Sequence, residues 1–338
     1  MRLNENKLYG LISRVYNNKM EENDHRDIVE YTKRVFGDGS FNPDPSMLHQ
    51  FNNLVVKKAD EVAKPMMTDI LSIFATFESA RRDEIVRYEI PQQTRTKFRW
   101  SANGSGVDLV RVEGKRYETA VPKPFSIGFY YEPFGMIRDA AEGIRNLIND
   151  IANAKVRLYI DEVYKLVDSA ILSGKIPAAN VLAGDNLNLK QYNKIASILS
   201  RYGGRPIFVA DSLLIDHFAM QQATDTTFKE LLTDPLRSEL AHSLNPTTIG
   251  RTTAVNLVNP FIDDQNTKVE YPVNVGYMLA GTQKQKPFVI VEFGGMRQLG
   301  EQDIEDERIK IKLVQDADIV LIFGQTLARI VENTAVAL

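Results

Sequence analysis

Arg95-Thr-Lys-Phe-Arg-Trp100, then Ser101-Ala-Asn-Gly-Ser-Gly106, then the run from Val107 to Val121, form the stretch on which the fold turns. The first segment is basic and aromatic, and the second has the composition of a flexible turn. The third returns with strand-like alternation in Asp108-Leu-Val-Arg-Val112, matching the alternation of Val86-Arg-Tyr-Glu-Ile90 on the way in. Two arms of about 15 residues, at about 3.3 Å each, make a hairpin that reaches about 50 Å. An isolated two-stranded hairpin is marginal in water, and this one carries few residues to bury. Its length requires a partner surface, which points to assembly before catalysis.

Immediately downstream, Pro133 opens a helical pattern that runs to Gly174, with apolar positions at Ile137, Ile144, Leu147, Ile148, Ile151, Leu158, Val163, Val167 and Ile171. Unbroken, such a helix spans about 60 Å. Gly143 weakens it locally, and Asn149–Asn153 is the alternative break. Upstream, residues 1–85 read as helical. Leu8, Leu11, Ile12, Val15 and Tyr16 share one face of a first helix. Asp24 is a candidate cap for a second helix that ends at Gly37, and a third region covers Ser46 to Arg82, with a possible interruption at Pro65. From Ile176 the pattern is mixed. Asn188 caps a helix, Arg205–Ala210 is a buried strand, and Asp211 or Ser212 caps a helix through Met220. Strands are expected at Ala254–Val258, Val269–Ala280, Lys286–Phe293 and Arg308–Val314, with a separate buried strand at Asp318–Phe323. Gly294-Gly295 reads as a turn at a strand end. The whole is α+β.

Composition excludes several classes. The 338 residues are 43% hydrophobic and 25% charged, with a net charge of −3, so a dedicated nucleic-acid binder is not indicated. Cysteine is absent, which removes disulfides, thiolate metal sites and cysteine nucleophiles. No apolar run is long enough to span a bilayer, and the start Met1-Arg-Leu-Asn-Glu-Asn-Lys lacks the apolar core of a secretion signal. His25, His49, His217 and His242 lack metal-ligand spacing. There is no Gly-x-Ser-x-Gly elbow and no phosphate-binding Walker loop. No cofactor, metal site or catalytic residue is expected. Acidic clusters lie at Asp263-Asp264 and at Glu301, Asp303, Glu305, Asp306 and Glu307. Solvated loops explain them, and a metal-dependent α+β enzyme using the Glu301–Glu307 carboxylates is the alternative. The hairpin's basic set is Arg95, Lys97, Arg99, Arg111, Lys115 and Arg116, interleaved with Phe98 and Trp100. It could grip nucleic acid, keep a free edge from aggregating, or dock on a neighbouring subunit with Trp100 as the apolar anchor. Because the chain is slightly acidic and the basic excess is local, docking ranks first.

Arg87–Tyr130, Pro133–Ser173, the strands Lys286–Phe293 and Glu307–Val314, and segments such as Gly204-Arg-Pro-Ile-Phe-Val-Ala-Asp211 come in an order that resembles the major capsid proteins of tailed bacteriophages with the Hong Kong 97-type fold. The resemblance implies an N-terminal helical arm or subdomain at 1–86 and an extended loop at 87–130. It implies a peripheral domain with spine helix and long sheet at 131–175 and 260–315, and an axial domain at 176–259 and 316–338. It further implies hexamers and pentamers of this chain in an icosahedral shell around double-stranded DNA. Its partners would be a separate scaffolding protein, a portal and decoration proteins, with no membrane. Location in the virion follows, after assembly in the host cytoplasm. The helices before the loop exceed the simplest family pattern, and Met1 carries the expectation that the chain keeps them. An encapsulin-like compartment that encloses protein cargo uses the same fold and is the nearest alternative. A nucleic-acid-binding accessory protein is a third.

Overall fold

The computed structural model describes residues 5–37, 43–90, 116–224, 248–257, 259–281, 286–302 and 308–338. Three helices come first: α1 (Glu5–Tyr16), α2 (Glu22–Phe36) and α3 (Pro45–Leu71). Strands β1 (Ala75–Ala80), β2 (Val86–Ile90), β3 (Arg116–Ala120) and β4 (Lys123–Tyr131) follow, then α4 (Pro133–Arg138) and α5 (Ala140–Leu172). The chain continues through β5 (Val181–Gly184), α6 (Leu189–Leu199), β6 (Ile207–Ala210), α7 (Ser212–Thr224), β7 (Thr248–Ile249), β8 (Thr252–Asn256) and β9 (Val275–Leu279). It closes with β10 (Phe288–Gln302), β11 (Ile309–Leu321) and β12 (Leu327–Glu332). Two compact units result. One comprises Met1–Tyr88, Tyr117–Tyr164 and Val289–Val320, the other Glu89–Arg116, Lys165–Phe288 and Leu321–Leu338.

The first unit is built on a four-stranded sheet in the order β1-β10-β11-β4. Along β11, Ile309, Ile311 and Leu313 are buried while Lys310 and Lys312 are exposed, so one face is covered and the other is wet. The covered face packs against Ile144, Leu147, Ile148 and Ile151 of α5. The same cluster contains Leu11, Ile12 and Val15 of α1, Ile28, Val35 and Phe36 of α2, and Phe51, Leu54 and Val55 of α3. The N-terminal helices therefore share one core with the sheet. Polar ties reinforce it: Arg145 Nε donates to the Val15 carbonyl at 2.9 Å and the Tyr131 hydroxyl donates to Asn52 at 2.8 Å.

Several elements differ from the sequence expectation, each for a local reason. Asp24 is not the cap of α2. Glu21 caps it, and Asp24 closes the capping box from the first turn while also pairing with Arg14 at 2.7 Å. Helix α3 runs straight through Pro65 but stops at Leu71, and Ala75–Ala80 becomes an edge strand beside β10. The long helix breaks at Asp139, where φ is −137° and ψ 82°, rather than at Asn149–Asn153. Gly143 is not the weak point: a Cβ there would stand 2.8 Å from Met136 Sδ, so glycine lets α4 pack closely on α5. Gly294 takes φ +72° inside β10, as in a β-bulge, and the strand continues to Gln302 instead of turning. The two strands expected on either side of Gln315-Asp-Ala317 are one strand, β11. The polar residues that look like a break are tied in by distant groups: Gln315 Nε2 donates to the Gly294 carbonyl at 3.0 Å, and Asp316 is ion-paired with Arg82.

The second unit has a six-stranded sheet in the order β5-β12-β9-β6-β8-β7. Asn188 caps α6 in a capping box with Gln191, and Asp211 Oδ1 accepts from the Leu213 N–H at 2.9 Å at the start of α7. Both helices contribute to an aromatic core in which Tyr192 stands 5.1 Å from Phe208 and 4.7 Å from Phe218, centroid to centroid. A Cβ on Gly276 would come 2.7 Å from the Phe208 ring, so β9 carries glycine where the ring crosses it. The C-terminal strand β12, unmarked in the sequence reading, is central: it pairs parallel with β5 and antiparallel with β9.

Candidate assembly surface

The base of the hairpin is the two-stranded sheet β2-β3. Arg87 and Glu89 on one arm and Tyr117 and Thr119 on the other are exposed, so the base is open to solvent. Two aspartates on β11 fix its feet. Asp316 Oδ2 holds Arg82 Nε at 2.6 Å, ahead of β2, and Arg297 Nη2 at 2.9 Å. Asp318 accepts from the Val121 N–H at 2.9 Å and pairs with Lys123 Nζ at 2.8 Å, just after β3. The side chains of Asp316 and Asp318 are only 9% and 7% exposed, while Arg82, Arg297 and Lys123 stay 44%, 51% and 64% exposed, so the carboxylates are sheltered and solvent still screens the cationic ends of the pairs. Tyr88 adds a third tie, donating to Glu78 at 2.5 Å. Partial burial, with the Glu78 carboxylate, pushes its phenol above the ordinary value.

The first unit also holds a buried charge network. Lys155 of α5, 4% exposed, pairs with Asp60 of α3 at 2.5 Å and Glu292 of β10 at 2.7 Å, and the Tyr159 hydroxyl donates to Glu292 at 2.9 Å. Burial raises the Asp60 carboxyl, but the Lys155 and Lys64 ammonium groups outweigh it and hold its pKa below the ordinary value. Burial, together with Glu292, pushes the Tyr159 phenol far up. The network clamps α3, α5 and β10 together.

Exposed apolar side chains gather on the same unit: Ile85, Tyr117 and Val121 near the hairpin base, and Ile127, Tyr130 and Leu299 on the sheet. Tyr130 and Leu299, at 64% and 65% exposure, lie on an open groove of about 690 Å³ formed by β4, β10 and β11.

Arg95, Lys97, Arg99, Trp100, Arg111 and Lys115 lie outside the described residues, as does the side chain of Arg116, whose backbone opens β3. Glu301 is exposed at the end of β10, and the remaining carboxylates of that cluster also lie outside. Among the described residues no group of three or more histidine, aspartate or glutamate side chains is placed to hold a metal ion. The sequence reading missed Ile127, Tyr130 and Leu299. Its signal was present in Phe125-Ser-Ile-Gly-Phe-Tyr-Tyr131, whose alternation marks a half-buried strand.

The fold is that of tailed-phage capsid subunits. It matches the capsid of cyanophage P-SCSP1u (TM-score 0.50, 6% identity, 77% of this chain and 86% of that one). It also matches a chain of Microbacterium phage Oxtober96 (TM-score 0.50, 10% identity, 76% and 89%). Sequence goes further than fold. The family described as "SPbeta prophage-derived putative capsid protein YonB" matches residues 7–331, and the chain belongs to that family. It is 60% identical over 338 residues, 100% of both chains, to the SPbeta prophage-derived protein YonB of Bacillus subtilis (strain 168).

Proposed function

We propose that this chain is the major capsid protein of a prophage, a structural rather than catalytic subunit located in the virion. It assembles into hexamers and pentamers of an icosahedral shell around double-stranded DNA, with a portal and a separate scaffolding protein as partners. Membership of the capsid family carries the reading. The hairpin base, firmly footed on Asp316 and Asp318 yet open to solvent, supports a loop that each subunit lays on its neighbour. Many modest contacts repeated around the shell then give it stability. A near-neutral charge of −3 suits a container that must take up and release DNA.

Deleting residues 95–116 tests the docking role. The subunit should keep its circular dichroism spectrum and thermal transition while shells disappear from sedimentation profiles. Normal shells from the deletion variant would rule the role out. Nuclease-protected DNA inside shells, rather than a packaged protein, separates a capsid from an encapsulin-like compartment.

A further inference from the structure

Toward α5, β11 presents Ile309, Ile311, Leu313, Gln315 and Ala317 in turn, all buried. Four of them are apolar, as a strand face packed on a helix requires, and one is a glutamine. Its register partner on β4 is Phe125, which lies on the same face. The Gln315 carboxamide is held by its nitrogen: Nε2 donates to the Gly294 carbonyl at 3.0 Å and to the Asp316 carbonyl at 3.2 Å. Turning the amide over would set its oxygen against both carbonyls, so the orientation is fixed. The oxygen is left over. Gln315 Oε1 is buried, and no donor among the described residues reaches it. Buried acceptors are ordinarily satisfied, so a glutamine in this state on an apolar face points to a donor from outside the chain.

Gln315 is also a wall of an open cavity of about 110 Å³. Further walls are Phe125 and Ile127 of β4, Ile151, Ala154 and Leu158 of α5, and Met296 of β10. An apolar cavity of about 150 Å³ takes a benzene ring, and this one, open on one side, matches a single ring whose edge stays at the mouth. Lys155 lines it as well, but Asp60 and Glu292 answer its ammonium at 2.5 Å and 2.7 Å. That charge is matched within the chain, so the cavity favours a neutral guest. We propose that the cavity is a binding site for a small neutral phenol, whose hydroxyl donates to Gln315 Oε1 while its ring lies between β4 and α5. Bound there, the phenol joins the helix to the sheet edge and stabilises the folded subunit in step with its occupancy. The site lies within one subunit and does not depend on the shell reading.

Equilibrium dialysis of the full chain against phenol, anisole and benzoate tests the site, and it serves subunit and shell alike. Phenol should bind saturably and raise the melting temperature. Anisole has the ring without the donor and should bind about tenfold more weakly, the worth of one hydrogen bond. Benzoate should not bind, because its charge would be buried without a partner. Gln315→Met keeps the length of the side chain and removes the acceptor, so phenol should fall to the level of anisole. Ala154→Leu narrows the cavity and should weaken both ligands, with circular dichroism showing the fold retained. No saturable phenol binding, or binding untouched by Ala154→Leu in a folded chain, overturns the site. Equal affinity for phenol and anisole in the unsubstituted chain, or an undiminished preference for phenol in Gln315→Met, overturns the assignment of its ligand.

Discussion

Lys155 in the first unit stands between Asp60 and Glu292, each charge answered by an opposite side-chain charge. Glu332 in the second unit is 0% exposed, and its carboxylate is answered mainly by the backbone. It accepts from the N–H groups of Asn186 at 2.9 Å, Leu187 at 2.5 Å, Thr334 at 3.1 Å and Ala335 at 3.0 Å. A network of side chains joins three elements but fails as a group when one member is lost. A carboxylate ringed by N–H donors fixes only the turns around it, with no long side chain to order. The first unit thus uses charge to brace α3, α5 and β10, and the second uses it to pin the end of β12 to the turn before α6.

The most severe way to break this contrast is Lys155→Met. It leaves Glu292 without a cationic partner and Asp60 with Lys64 alone, and is expected to cost about 3 kcal/mol, read as a lower denaturant midpoint. Adding Asp60→Asn to that variant recovers part of the loss, since one of the two under-compensated charges is removed.

Glu332→Gln should cost about 1–3 kcal/mol, because the amide cannot accept from all four donors. Burial opposes ionisation of Glu332, but the backbone donors prevail and hold its pKa at about 2, against an ordinary 4.5. A depressed carboxylate stabilises the fold fully above the ordinary value, and that contribution fades as pH falls from about 4.5 to about 2. Thermal melts of Glu332→Gln should show a shallower decline across that window than the native chain. An unchanged slope would remove Glu332 from the acid response.

The smallest effect on folding is expected at the groove. Leu299→Ser changes stability by no more than about 0.5 kcal/mol, as for an exposed site without partners to lose. If the groove is an assembly contact, the yield of assembled particles by sedimentation should nevertheless fall. A stability loss comparable with Lys155→Met would mean that Leu299 belongs to the subunit's own core.

What could be read from the chain itself followed the same divide. The amphipathic faces of α1, the Asn188 cap, strand Ile207–Ala210 and the long helix all carry their signal in local periodicity or capping chemistry. β11 reads as two strands because Gln315-Asp-Ala317 looks like a polar break until Arg82 and Arg297 reach Asp316 from distant positions. Ala75–Ala80 extended the α3 pattern because its strand identity comes only from pairing with β10. The cavity beside Ile127 depends on the approach of α5 to β4, and no single segment records it. The resemblance in element order supplied the capsid fold, whereas the exposed face of Tyr130 and Leu299 needed the register of β4 on β11.

Direct imaging of the purified, unsubstituted chain by negative-stain electron microscopy bears most closely on the central claim. The account predicts closed shells of uniform diameter, built from rings of five and six subunits. A population of monomers or small oligomers, under conditions where the chain is folded, would contradict it.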